Sequence, residues 1–205
     1  EGRRLRGPRP ARRGGEATRA ARGVARSSRV RRGGRYSAGM VRTAILTVSD
    51  AVAAGKREDG SAQAIRQVLK TGPFVEVDYQ VVPDEQALIR ARLRLWADQD
   101  GIDLVLTTGG TGLSRKDRTP EATEEVIERR VPGLAELMRA AGAARNKAAA
   151  LSRGVAGVRR QTLIVNLPGK PEAAAESLAA VLETLPHAVD VIRGEPRAAP
   201  ESWHG

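Results

Sequence analysis

The chain has 205 residues, 40% hydrophobic and 29% charged, with no cysteine and a formal charge of +11. The missing cysteine excludes disulfides and thiolate metal centres, and no apolar run approaches the ~20 residues that span a bilayer. Aromatics make up only 2%, so a core must come from Val, Leu, Ile and Ala, as in a soluble globular domain.

Residues 1–39 hold 13 arginines, no lysine, and only Glu1 and Glu16 as acids. Taking them from the chain's 35 basic and 24 acidic residues leaves 22 of each in 40–205. The positive charge therefore belongs to the tail, and a nucleic-acid partner for the domain is not expected. This tail, rich in Arg, Gly, Ala and Pro, lacks the apolar surface to offset its conformational entropy and is expected to be disordered. It reads as a nucleic-acid-binding arm, as a transit peptide, or as translated sequence upstream of the true start. The last is favoured, because the chain opens on Glu1 and Met40 stands just before the first strand-like run.

From Val41 onward, short β-branched runs alternate with helical ones, the pattern of an α/β domain with a mostly parallel sheet over 40–205. Thr43–Val48 reads as a strand buried on both faces. A helix from about Ser61 to Lys70 stops at Gly72-Pro73. Phe74–Val82 alternates as a second strand, and Asp84 is placed to cap a helix running to about Trp96. Asp103–Thr108 is the third strand. Thr119, Pro120 and Glu121 read as N-cap, first-turn proline and first-turn acid of a helix interrupted at Pro132-Gly133. Thr162–Val165 is the last clear strand, and Pro171 opens an Ala-rich helix reaching about Leu185.

The unusual residues follow strands: Ser49-Asp50, Pro83-Asp84, Thr108-Gly-Gly-Thr-Gly112 and Asn166-Leu-Pro-Gly-Lys-Pro171. In an open parallel sheet these loops share the carboxyl edge, where such folds bind ligands. Gly109, Gly110 and Gly112 let backbone approach a ligand, and the hydroxyls of Thr108 and Thr111 join their N–H groups in a cradle for phosphate. Asp50, Asp84 and Asp117 read either as turn, cap and loop acids, or as carboxylates that hold Mg²⁺ against nucleotide phosphates. Arg153, beside Ser152, suits an anion, and Lys170 at a helix N-terminus would be relieved by one. His187 and His204 lack paired ligand spacing, so a zinc or iron site is not expected.

Thr107–Gly112, Asp117-Arg-Thr-Pro-Glu121, Val131-Pro-Gly133 with Glu136, Leu151-Ser-Arg153, Asn166-Leu-Pro-Gly169 and Val82-Pro-Asp-Glu-Gln86 occur in the order and spacing of the Mog/MoaB family. The chain resembles that family from about Arg42 to Arg193. The resemblance implies a three-layer α/β sandwich, usually trimeric and in some members hexameric, in a cytoplasmic protein that can meet the molybdate-insertion enzyme. It implies transfer of AMP from Mg·ATP to the terminal phosphate of molybdopterin, with release of pyrophosphate; the alternative is a member that binds pterin or nucleotide without catalysis. Asp84 and Asp117 take the place of the essential, metal-holding carboxylates. Ser49, Asp50, residues 108–112, Thr119, Glu121, Ser152, Arg153, Asn166, Pro168, Gly169 and Lys170 take that of the substrate cleft. Two positions depart from the family pattern: Ala51 stands where a serine is common after the first strand, and Ala62 follows Asp59-Gly-Ser61 where glycine is usual.

Overall fold

A computed structural model describes Gly2, residues 39–98 and residues 101–194. The expected disorder of the tail, and His204, lie outside those residues apart from Gly2 and Gly39. Six strands form one sheet: β1 (Val41–Val48), β2 (Phe74–Val82), β3 (Leu104–Thr108), β4 (Arg129–Arg130), β5 (Ala156–Arg159) and β6 (Thr162–Leu167), in the order β2-β1-β3-β6-β5-β4. The first four in that order are parallel; β5 is antiparallel to β6, and β4 to β5.

The continuous apolar runs are explained by two cores. Ile45, Leu104, Leu106, Leu163, Val165 and Leu167 point to one face of the sheet, while Ala44, Leu46, Val105 and Ile164 point to the other. Alternation along a strand sends successive side chains to opposite faces, so a strand covered on both sides must be apolar throughout. The one-turn α1 (Asp50–Ala53) follows β1, and the first face packs against helices α2 (Gly60–Leu69), α5 (Pro132–Arg145), α6 (Pro171–Val181) and α7 (Thr184–Arg193) through Ile65, Leu69, Met138, Leu178 and Val189. The second is covered by α3 (Gln86–Asp98) and the segment after α4 (Thr119–Glu124), through Ile89, Leu93, Trp96 and Val126. Helix, sheet and helix make three layers.

Crossovers from β1 to β2 and from β2 to β3 run on opposite faces, leaving a crevice between the loops after β1 and β3. Such a reversal of strand order is where open α/β sheets take ligands. Register sharpens the edge: Val48 pairs with Val82, Thr47 with Thr108, and Thr108 with Leu167, so four loops leave at one level.

Several sequence expectations are corrected. Asp84 does not cap α3: Glu85 O accepts from Leu88 and Ile89, and the Asp84 carboxylate instead accepts from Asp50 N–H. Thr119 is the first residue of α4 rather than its cap, and its hydroxyl donates to Gly109 O. That helix ends at Glu124, well before Pro132, because the chain turns so that Glu128 N–H can donate to Val158 O of β5. The hairpin β5–β6 was not anticipated; its turn places Arg160, a non-glycine, at φ 51°. The Ala-rich helix breaks after Val181 and α7 starts at Thr184. Pro186 has no N–H to continue the α6 ladder but is tolerated in the first turn of a new helix.

Candidate functional site

At the carboxyl edge of β1, β3 and β6 lies a cleft of about 960 Å³, flanked by α5 and α6 and by the 3₁₀ turn Lys147–Leu151. Its floor is the loop after β3. Gly109 adopts φ 100° and a Cβ there would sit 2.3 Å from Val48 O; Gly110 adopts φ 64°. Only glycine takes both the left-handed backbone and the close approach. Gly169 closes on the same point, with its Cβ position 3.1 Å from Gly109 Cα, so the two glycine loops lie back to back.

Hydrogen bonds sort the loop into anchored and available groups. Gly109 N–H donates to Leu167 O, Thr108 Oγ1 donates to Pro168 O at 2.7 Å, and Thr119 N–H donates to Gly110 O. The N–H groups of Gly110, Thr111 and Gly112 donate to no protein acceptor among the described residues. Three successive N–H groups without a protein acceptor are the kind of donor set that anion-binding concavities use.

Asp84 and Asp117 both line the cleft, from the loops after β2 and β3. Asp84 Oδ2 accepts from Asp50 N–H at 2.9 Å, and Asp117 Oδ2 accepts from Ser114 N–H at 2.8 Å. In each case Oδ1 has no hydrogen-bond partner among the described residues. No group of three His, Cys, Asp or Glu side chains placed to hold a metal occurs among them. Two half-free carboxylates on one cleft nevertheless suit Mg²⁺, which keeps waters and completes its shell with phosphate oxygens.

The other expected residues divide. Ser49, Ser152, Pro168, Gly169 and Lys170 line the cleft with residues 108–112. Asp50, Thr119, Glu121 and Arg153 stand behind its wall. Asp50 bonds Lys116 Nζ at 2.8 Å, and that ammonium, followed by Asp84 N–H, holds the Asp50 carboxyl below the usual carboxylate range. Burial pushes the Glu121 carboxyl up, but the Arg153 guanidinium, the Glu121 N–H and Arg118 together bring it below the usual carboxylate value. Asn166 borders the cleft, yet its amide is committed to the core: Nδ2 donates to Thr107 Oγ1 at 3.0 Å and Thr123 Oγ1 at 2.9 Å, and Oδ1 accepts from Val155 N–H at 3.2 Å. His187 is half-buried on α7.

The far wall comes from residues outside the sequence motifs. Ala135, Met138, Arg139, Gly142 and Arg145 of α5 line the cleft, joined by Arg57 and Asn146. Their three- and four-residue spacing is the signal of one helix face, with two arginines set into an otherwise apolar stripe. Arg139 donates to Gly154 O at 3.1 Å, and Arg145 pairs with Glu176 at 2.8 Å. No helix among the described residues is long and apolar enough to cross a membrane.

This architecture has close counterparts. The family described as a probable molybdopterin binding domain matches residues 44–187. A molybdopterin adenylyltransferase of Helicobacter pylori is 44% identical over 152 residues, covering 73% of this chain and 86% of that protein. The molybdopterin adenylyltransferase of Escherichia coli K12 is 40% identical over 144 residues, 69% of this chain and 73% of its own. Among solved structures, the molybdopterin biosynthesis enzyme MoaB from Thermus thermophilus superposes with a TM-score of 0.73 at 58% identity, covering 77% of this chain and 99% of that one.

Proposed function

Since the chain belongs to the molybdopterin-binding family of molybdenum cofactor biosynthesis, we propose that it is a molybdopterin adenylyltransferase, passing AMP from ATP to molybdopterin. The observation that carries the reading is the meeting of Asp84, Asp117 and the free N–H groups of residues 110–112 on one cleft. Both substrates are polyanions, so such a site works by positioning and charge compensation rather than through a covalent nucleophile.

In the transfer, an oxygen of the molybdopterin phosphate attacks the α-phosphorus of ATP. A new P–O bond forms as the α–β anhydride bond breaks, and its electron pair leaves with pyrophosphate. The 110–112 amides cradle phosphate oxygens, and Lys170 and Arg57 at the cleft wall add positive charge without acting as nucleophiles. Asp84 and Asp117 would hold Mg²⁺ through their Oδ1 atoms; the ion would offset the triphosphate charge and favour departure of pyrophosphate. The apolar part of the α5 face offers a surface for the pterin ring.

Residues 40–205 are read as the catalytic unit, acting in a cytoplasmic homotrimer. Contact with the molybdate-insertion enzyme is part of the same reading, because the adenylylated product must be handed on.

Pyrophosphate release with Mg·ATP is the test. Release should depend on molybdopterin, persist in a chain beginning at Met40, and fall by about 10²-fold or more in Asp84→Asn and in Asp117→Asn. A folded protein that binds molybdopterin yet releases no pyrophosphate would establish a binding module instead. Sedimentation of the same protein reads out the trimer.

A further inference from the structure

Arg153 has the residue type of an anion ligand, but its surroundings assign it a different task. We infer that Arg153 is a positioning residue that braces the loop carrying Asp117; its part in catalysis rests on the adenylyltransferase reading above.

Every nitrogen of the guanidinium is engaged. Nε donates to Gly112 O at 2.7 Å, Nη2 to Asp117 O at 2.7 Å, and Nη1 to Glu121 Oε1, while the Arg153 backbone N–H donates to Thr111 O at 2.9 Å. One residue thus grips the loop at three places, Thr111, Gly112 and Asp117, and is itself held by Glu121 of α4. The side chain is absent from the cleft wall, and three of its five N–H donors are committed to Gly112, Asp117 and Glu121.

The loop has little else to hold it. Among the described residues, the one other hydrogen bond tying residues 111–117 to the rest of the protein is Lys116 to Asp50, whose side chains are 75% and 49% exposed. Exposed pairs of this kind constrain weakly. Meanwhile the orientation of the Asp117 carboxylate is set inside the loop, by Ser114 N–H on Oδ2 and by Asp117 N–H donating to Ser114 O. Any shift of residues 112–117 therefore carries the carboxylate with it. A planar fork with donors in fixed directions suits this brace; a lysine supplies charge but cannot reach three acceptors.

The experiment compares Arg153→Lys and Glu121→Gln with the full-length wild type by backbone hydrogen exchange and by steady-state pyrophosphate release. The hydrogen-bonded loop amides, those of Ser114, Lys116 and Asp117, should exchange roughly tenfold faster or more in Arg153→Lys, with β1, β3 and β6 unchanged, because loop opening is local. Its kcat should fall by about 10- to 100-fold, with KM for ATP and molybdopterin held within about twofold, as expected for a misplaced catalytic group. Glu121→Gln, which keeps shape and removes charge, should move both readouts the same way by less. Wild-type exchange at Ser114, Lys116 and Asp117 in both variants overturns the proposal. So does a rise in KM with kcat intact, which would put Arg153 on the substrate. If the wild type transfers no AMP, the adenylyltransferase reading fails separately, and hydrogen exchange still decides whether Arg153 is the brace.

Discussion

Asp50 and Asp84 exchange hydrogen bonds across two loops: Asp50 N–H donates to Asp84 Oδ2 at 2.9 Å, and Asp84 N–H donates to Asp50 Oδ1 at 3.1 Å. Each carboxylate thereby fixes the other's backbone, and Asp50 Oδ2 reaches Lys116, the neighbour of Asp117. The loops after β1, β2 and β3 are linked through Asp50, which itself stays out of the cleft.

Replacing Asp50 therefore tests linkage rather than ligand contact. Asp50→Ala should lower kcat by about tenfold, less than loss of Asp84, with an unchanged melting temperature because the site is exposed. The pH dependence follows from the two shifts. Asp50 is held below its ordinary 3.8, so its contribution is present above that value and fades as pH falls through the lowered one. Lys116 is held above its ordinary 10.5, so its contribution is present below that and fades as pH rises through the raised one. The pH–rate profiles of wild type and Asp50→Asn should run parallel from about pH 5 to 9 and diverge only outside that window. Divergence near neutrality would show that another group controls the link.

Two glycines of one loop should fail in different ways. Gly109→Ala forces a Cβ to 2.3 Å from Val48 O at φ 100°, and backbone cannot yield there. It should destabilise the fold by roughly 3 kcal/mol or more, seen in denaturant melts. In Gly112→Ala the Cβ would lie 3.0 Å from Asp117 Oδ2, the movable end of a side chain. Stability should stay within about 0.5 kcal/mol while kcat drops about tenfold, since the carboxylate must swing aside. Equal losses of stability in both variants would overturn this division.

Much of this is legible in the sequence alone. The continuous runs of β1, β3 and β6 announce strands buried on both faces, and glycine and proline punctuation puts the loops of Ser49, Asp84, Gly109 and Asn166 at one edge. What escapes depends on long-range partners. Nothing local to Asp84 says that its carboxylate will serve Asp50 rather than the next helix turn, because both acceptor roles suit the same residue at the same place. Arg129–Arg130 is too short and too charged to read as a strand, and pairs only because β5 lies beside it. The α5 wall was recoverable from its spacing, but a Gly- and Ala-rich face with two arginines reads equally well as ordinary surface.

Asn166 illustrates the same limit from inside the site. Its three side-chain hydrogen bonds tie β6 to Thr107, Thr123 and Val155 at a residue only 2% exposed. Asn166→Leu should strand Val155 N–H and cost about 2–3 kcal/mol, lowering the melting temperature by roughly 5–10 °C. A loss of substrate affinity with full stability would instead mark the amide as a ligand.

The last prediction concerns the support beneath Ser61 of the cleft wall. Asp59 caps α2 by accepting from Ala62 N–H at 2.9 Å, accepts from Ser61 Oγ at 2.9 Å, and takes Tyr79 OH at 2.7 Å. Arg66 lies 4.5 Å over the Tyr79 ring while forking onto Glu76. Burial, and then the bond to Asp59, push the Tyr79 hydroxyl up to about 12 from 10.0. Burial pushes the Asp59 carboxyl up as well, but the Thr47 hydroxyl, Ala62 N–H, Tyr79 and Ser61 together bring it below 3.8. Stability from Tyr79 is thus complete below pH 10 and lost as pH rises through about 12, whereas that from Asp59 is present above 3.8 and lost on acidification. Tyr79→Phe should cost about 1 kcal/mol at neutral pH. It should also abolish the alkaline part of the stability decline, followed by denaturant melts, and remove the late-titrating tyrosine from ultraviolet difference absorbance. If the variant keeps the wild-type decline between pH 10 and 12, the hydroxyl is not what couples β2 to the cap of α2.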